Sequence, residues 1–287
     1  MNLSAPAAPA PVRSAVPTLP ERVAALLPAR NGVPWTVEPY RAWWSTRPAA
    51  RLSQALPGAE RGLIVVPRTW RTDVAWQLPD REPDEPDVRL DQLTPERVAR
   101  EIMRLVLPVL DDEAASRARP GRQVGGRLEA LHEIGWAIRE RGLATRNYVG
   151  PHANSSVLAW GTPTGLRYAV TLHGTNPAGD VSVTGPVRAV EEVLPGFLAL
   201  PSGAPRRKLR HIPGGLSRRL ASHLVQFTAV DLLDGGGLAI GCVTGAYGFV
   251  APAADPVARV RDTSPVSVEL HGVGIDLLLS LADELTR

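Results

Sequence analysis

The residues of this 287-residue chain with chemistry to offer are six histidines, one cysteine and two blocks of charge. The histidines are His132, His152, His173, His211, His223 and His271. No two have the spacing that sets paired metal ligands on one helix face. His173 and His271 each close a strand-like run and are followed by glycine. An imidazole held at a strand end serves as a general base when a carboxylate orients it. Asp180 and Asp276 are the carboxylates at hand, which makes His173/Asp180 and His271/Asp276 the pairs to seek. Cys242 lies in the apolar run Leu238 to Val243. A lone cysteine makes neither an intramolecular disulfide nor a cysteine-based zinc site, and this one reads as a small buried hydrophobe.

Motifs for phosphate or acyl chemistry do not form. The only lysine, Lys208, is followed by leucine, so there is no phosphate-binding Gly-Lys-Ser/Thr loop. Gly241-Cys242-Val243-Thr244-Gly245 puts valine where a nucleophile elbow needs its serine. The run Gly235-Gly236-Gly237 precedes a strand instead of following one, and reads as a turn and not a dinucleotide loop. No catalytic residue, cofactor or metal ligand is therefore expected.

The acidic block is Asp80-Arg81-Glu82-Pro83-Asp84-Glu85-Pro86-Asp87. It lacks the glycine of a calcium loop and reads as a solvated connection between strands. The basic block holds Arg206, Arg207, Lys208 and Arg210, followed by Arg218 and Arg219, with no acid among them. Arginine forks suit phosphate and carboxylate, so these six side chains are the candidate anion or nucleic-acid contacts. The net charge of +3 is small for a nucleic-acid-binding chain. The near-absence of lysine, with much Ala, Gly and Pro, matches the codon usage of a high-GC bacterium.

Five of the seven tryptophans fall between residues 35 and 76. Trp43 and Trp44 are adjacent in a segment with helical character, Pro39 to Leu56. Neighbours on a helix cannot share one buried face, so Trp43 and Trp44 are the candidate partner-contacting residues.

Three elements recur around these groups. A strand-like run leads into an amphipathic helix at 87–110, 180–200 and 265–285, with Val-Ser-Val at 181–183 and again at 266–268. Two further strand-like runs precede each: Gly62–Val66 and Asp73–Leu78, Ser156–Trp160 and Leu166–Leu172, Gly237–Val243 and Tyr247–Ala251. Helical patterns at Arg127–Arg141 and Leu216–Gln226 open the second and third units. Polar, Gly- and Pro-rich stretches at Asp111–Gly126 and Pro201–Gly215 read as linkers.

The expectation is an α+β protein of tandem small modules, each with about three antiparallel strands and flanking helices on one face. Residues 1–17 would be an Ala/Pro-rich disordered leader. Modules would occupy 18–112 (Trp-rich), 122–202 and 213–287. The order helix–three strands–helix resembles that of double-stranded-RNA-binding domains, but no cluster of lysines opens the closing helices. No apolar run is long enough to span a membrane, and a cytoplasmic location is expected. The functional expectation is a non-enzymatic binding or regulatory protein that meets a protein partner or a second copy of itself. Nucleic-acid binding through 206–219 and a hydrolase using His173 or His271 are the alternatives.

Overall fold

In a computed structural model, two antiparallel sheets and the helices among them share one apolar core. The structure describes residues 16–56, 59–91, 94–117, 120–149, 155–174, 176, 178–198, 215–241, 245–252 and 260–287. No described helix is long and apolar enough to cross a membrane.

The first sheet has five strands in sequence order: β1 (Thr36–Tyr40), β2 (Ala49–Leu56), β3 (Ala59–Pro67), β4 (Thr72–Gln77) and β5 (Val88–Leu90). Ahead of it runs α1 (Leu19–Leu26). Thr18 and Glu21 form its capping box, and Pro20 stands in the first turn, where a missing N–H costs nothing. After it come α2 (Pro95–Glu101), a π-helical turn (Ile102–Val106) and α3 (Leu107–Arg117). The long helix α4 (Pro120–Glu140) leads into the second sheet.

That sheet has eight strands. They are β6 (Thr145–Val149), β7 (Ser155–Gly161), β8 (Arg167–His173), β9 (Ala178–Pro186), β10 (Val230–Leu232), β11 (Leu238–Gly241), β12 (Tyr247–Pro252) and β13 (Pro265–Gly274). Their spatial order is β10-β11-β12-β13-β9-β8-β7-β6. The helices α5 (Val187–Phe197) and α6 (Gly215–Leu224) lie in sequence between its halves, and α7 (Ile275–Ser280) follows β13.

The two Val-Ser-Val runs meet at the seam. Val183 pairs with Val268 and Val181 with Leu270, which zips β9 to β13 antiparallel. Alternation then does the rest. Val181, Val183, Val266, Val268 and Leu270 point inward and are buried, while Ser182, Thr184, Ser267 and Glu269 point out. The expected second and third segments therefore contribute to one continuous sheet, because each offers the other a matching inward valine stripe.

Other expectations need correction. Pro39 to Leu56 is not helical: Pro39 sits in β1, and β2 begins after Pro48. The stretch Asp111 to Gly126 is not an open linker, since α3 reaches Arg117 and α4 starts at Pro120. Asp112, Ser116 and Arg117 are exposed on α3, and Asp111 makes an internal ion pair.

Candidate functional site: the open face of the eight-stranded sheet

The two sheets differ in what covers their outer faces. On the five-stranded sheet, Ile64, Val66 and Ala75 point away from the main core and are covered by the chain itself. Ala42, Tyr40 and Trp44 pack on them. The acidic connection folds onto the same side: Tyr40 donates its hydroxyl to Glu82, and the Trp43 indole donates to the Pro83 carbonyl at 3.1 Å. On the core-facing side, Arg81 stacks over Trp76 at 3.4 Å and pairs with Asp87 at 2.7 Å. The acidic block is thus a solvated connection between β4 and β5, with Asp80, Glu82, Asp84 and Glu85 exposed, that these contacts tie down. Trp44 is turned inward and Trp43 outward, 63% exposed.

The outer face of the eight-stranded sheet has no such cover among the described elements. All seven helices send their buried residues to the main core. Outward-pointing residues on the central strands are mostly small and partly exposed, Ala159, Ala169, Thr171, Ser182, Thr184, Ser267 and Ala251, with the exposed Glu269 among them and Ser155 and Val157 buried at the His173 end. Larger groups stand around them. Tyr148, Tyr247 and Phe249 are exposed aromatics, 53%, 54% and 38% respectively.

A three-residue cluster sits at one end of this surface. Asp180 accepts hydrogen bonds on both carboxylate oxygens, from His173 Nε2 at 3.0 Å and from His271 Nδ1 at 2.9 Å. Register explains the convergence. Asp180 faces Thr171 on β8, and His173 is the next outward residue along that strand. His271 reaches Asp180 from the other side, where the β9–β13 register slips between Leu270 and Val273. Such a bulge re-aims a side chain, and Gly272 takes the left-handed φ of +72° there. Gly174, after His173, is also left-handed at +51°. Tyr247 and Phe249 flank the His271 ring, with centroids 5.5 and 6.4 Å away.

The expected pair His173/Asp180 therefore forms. The expected pair His271/Asp276 does not, because Asp276 is buried on α7 and bound to arginine. His271 shares Asp180 instead. A neutral imidazole that donates one N–H to a carboxylate carries its lone pair on the other nitrogen. Asp180 thus orients two rings at once. Three or more His, Cys, Asp or Glu side chains arranged to hold a metal ion do not occur among the described residues.

The remaining sequence candidates lie elsewhere. Arg206, Arg207, Lys208 and Arg210, and likewise Cys242, fall outside the described residues. Arg219 is clamped by Glu191, at 2.8 and 2.6 Å, and by Asp262 at 2.7 Å. Its hydrogen bonds to Glu191 and Asp262 raise its pKa, and they occupy the fork a phosphate would need. Arg218 is engaged as well. Arg219, with Arg188, borders a groove of about 470 Å³ formed by α5, α6 and Asp262.

Sequence reasoning missed the charge cluster inside the molecule. Arg61 on β3 is 1% exposed and lies between Asp276 and Asp111. An Arg-Gly step inside an apolar strand was the available signal. No family model, no curated protein and no solved structure matches this chain.

Proposed function

We propose that this chain is a non-enzymatic binding protein whose open sheet face receives a helical segment of a protein partner. The observation that carries the reading is the contrast between the two outer faces: one is covered by the chain's own loops, the other presents small, partly exposed residues around Glu269, ringed by tyrosine, phenylalanine and histidine. A sheet face is ordinarily buried against a second layer, most often helices. Aromatic residues are enriched at the cores of protein interfaces. From Tyr148 on β6 to Tyr247 on β12 the surface crosses five strand spacings, which is about 24 Å and matches a helix of about 16 residues.

Both imidazoles lean on one carboxylate, which fixes ring orientation in an interface as well as in a catalytic site. The interface reading is preferred because the cluster lies in a surface that spans five strand spacings. The engagement of Arg219 by two acids weighs against the nucleic-acid reading.

The test is capture of partners by the purified chain, with Ser182→Arg as the blocking variant and Trp43→Ser as the control. Ser182 is half-exposed at the centre of the face, so arginine there obstructs docking without entering the core. The expected result is at least tenfold weaker capture, or conversion of a self-associated form to monomer, for Ser182→Arg alone. Loss with Trp43→Ser and full retention with Ser182→Arg would move the site to the other sheet.

A further inference from the structure

The buried charge cluster where the five-stranded sheet meets α3, α4 and α7 has an imbalance that points to a device. Arg61 donates to Asp276 at 2.7 and 3.3 Å and to Asp111 at 3.0 Å, with its Nε 2.8 Å from Asp111. Arg30 lies 3.5 Å from Asp276 and pairs with Glu133 at 2.6 Å. The carboxylates therefore number three and the guanidiniums two. Gln54, fully buried, accepts from Arg61 and adds no charge. The members come from separate parts of the chain: Arg61 from β3, Gln54 from β2, Asp111 from α3, Glu133 from α4, Asp276 from α7 and Arg30 from the segment after α1.

An excess negative charge in a dry site is costly, and a proton removes it. Geometry selects the acceptor. Asp276 is met by both arginines, and Glu133 has Arg30 plus the backbone N–H of Asn31. Among the described residues Asp111 pairs only with Arg61, which it shares with Asp276, while Arg30 acts on it without a direct contact; it is 15% exposed, so a proton can reach it. We propose that this cluster is a proton-linked latch between the five-stranded sheet and the helices α3, α4 and α7, in which Arg61 stays committed to Asp276 while Asp111 takes up or releases a proton. The junction is tightest when Asp111 is neutral.

Burial pushes the Asp111 carboxyl up, Arg61 pulls it back, and the charge of Asp276 pushes it up again, leaving it at about 6. A carboxyl whose folded value lies above its unfolded 3.8 holds its proton better in the folded chain. Its contribution to stability is present below about 4 and is lost as pH rises through about 6.

Denaturant midpoints at pH 5.0 and 7.5 test this, on the wild-type chain, Asp111→Asn and Asp276→Asn. The wild type is expected to have the lower midpoint at pH 7.5. Asp111→Asn should be at least as stable as wild type at pH 7.5 and should lose most of the difference between the two pH values. Asp276→Asn should be destabilised at both. An Asp111→Asn chain that keeps the full wild-type pH difference would overturn the latch. So would one that fails to fold or is clearly weaker than wild type at pH 7.5.

Discussion

At Arg61 one guanidinium serves two carboxylates and an amide, with the Trp35 ring 5.3 Å from its carbon. Burial works to discharge this arginine, but Asp111 and Asp276 more than offset it and raise its pKa. Removing it leaves a buried carboxylate with a weaker partner, which is costlier than the pair itself is stabilising. Arg61→Ala should cost about 3–5 kcal/mol in equilibrium denaturation. Asp276 gives the opposite pH signature from Asp111. Burial raises its carboxyl, yet Arg61 and then Arg30 hold it below its ordinary 3.8. Its stabilisation is present above that value and is lost as pH falls through the lower folded one. Asp276→Asn should therefore be least stable relative to wild type near neutral pH, with the gap closing toward pH 2. An equal gap at every pH would show that the carboxylate acts by shape alone.

Strands and helices carry the next set of consequences. Gly248 on β12 lies against β13 so closely that a Cβ there would stand 1.8 Å from the Glu269 carbonyl oxygen. Gly248→Ala should cost about 3 kcal/mol, read as a lowered denaturation midpoint, because the β12–β13 ladder must part to admit it. At the other end of the sheet, Trp160 donates its indole N–H to the Leu285 carbonyl at 3.0 Å. Leu281 and Leu285 are buried beneath it, so truncation after Ser280 should abolish cooperative unfolding or shift its midpoint sharply downward. Much of this layer was legible in the sequence. The hairpin Thr162–Gly165 with its flanking strands, and the stripes of α5 and α6, follow from period-two and period-3.6 patterns. What stayed hidden was α3 continuing through Asp111. A buried arginine turns that polar position into an internal one, and local pattern carries no trace of a partner 50 residues away.

For the molecule as a whole, the decisive event is that strands far apart in sequence share a sheet and both sheets share a core. The pairing of β9 with β13 was foreshadowed only by the repeated Val-Ser-Val, whose meaning as a seam depends on long-range register. The His–Asp–His cluster was half legible. His173 and Asp180 are separated by one turn of a hairpin, whereas His271 arrives across that seam. Trp35, Leu52 and Leu63 belong to the same core cluster as Leu158, Val268 and Leu281. Unfolding followed by near-ultraviolet and far-ultraviolet circular dichroism should therefore give coincident single transitions. Separate transitions would mean that the two sheets are independent units.

The central claim, that the open sheet face is where a partner docks, is tested most directly by histidine footprinting. The free chain and the captured complex are treated with diethylpyrocarbonate, and modification is read residue by residue by mass spectrometry. His173 and His271 lie on the proposed face, while His132 is exposed on α4 and serves as the internal control. The account predicts that the partner protects His173 and His271 several-fold and leaves His132 unchanged. Undiminished reactivity at His173 and His271 in a complex that protects His132 would contradict it.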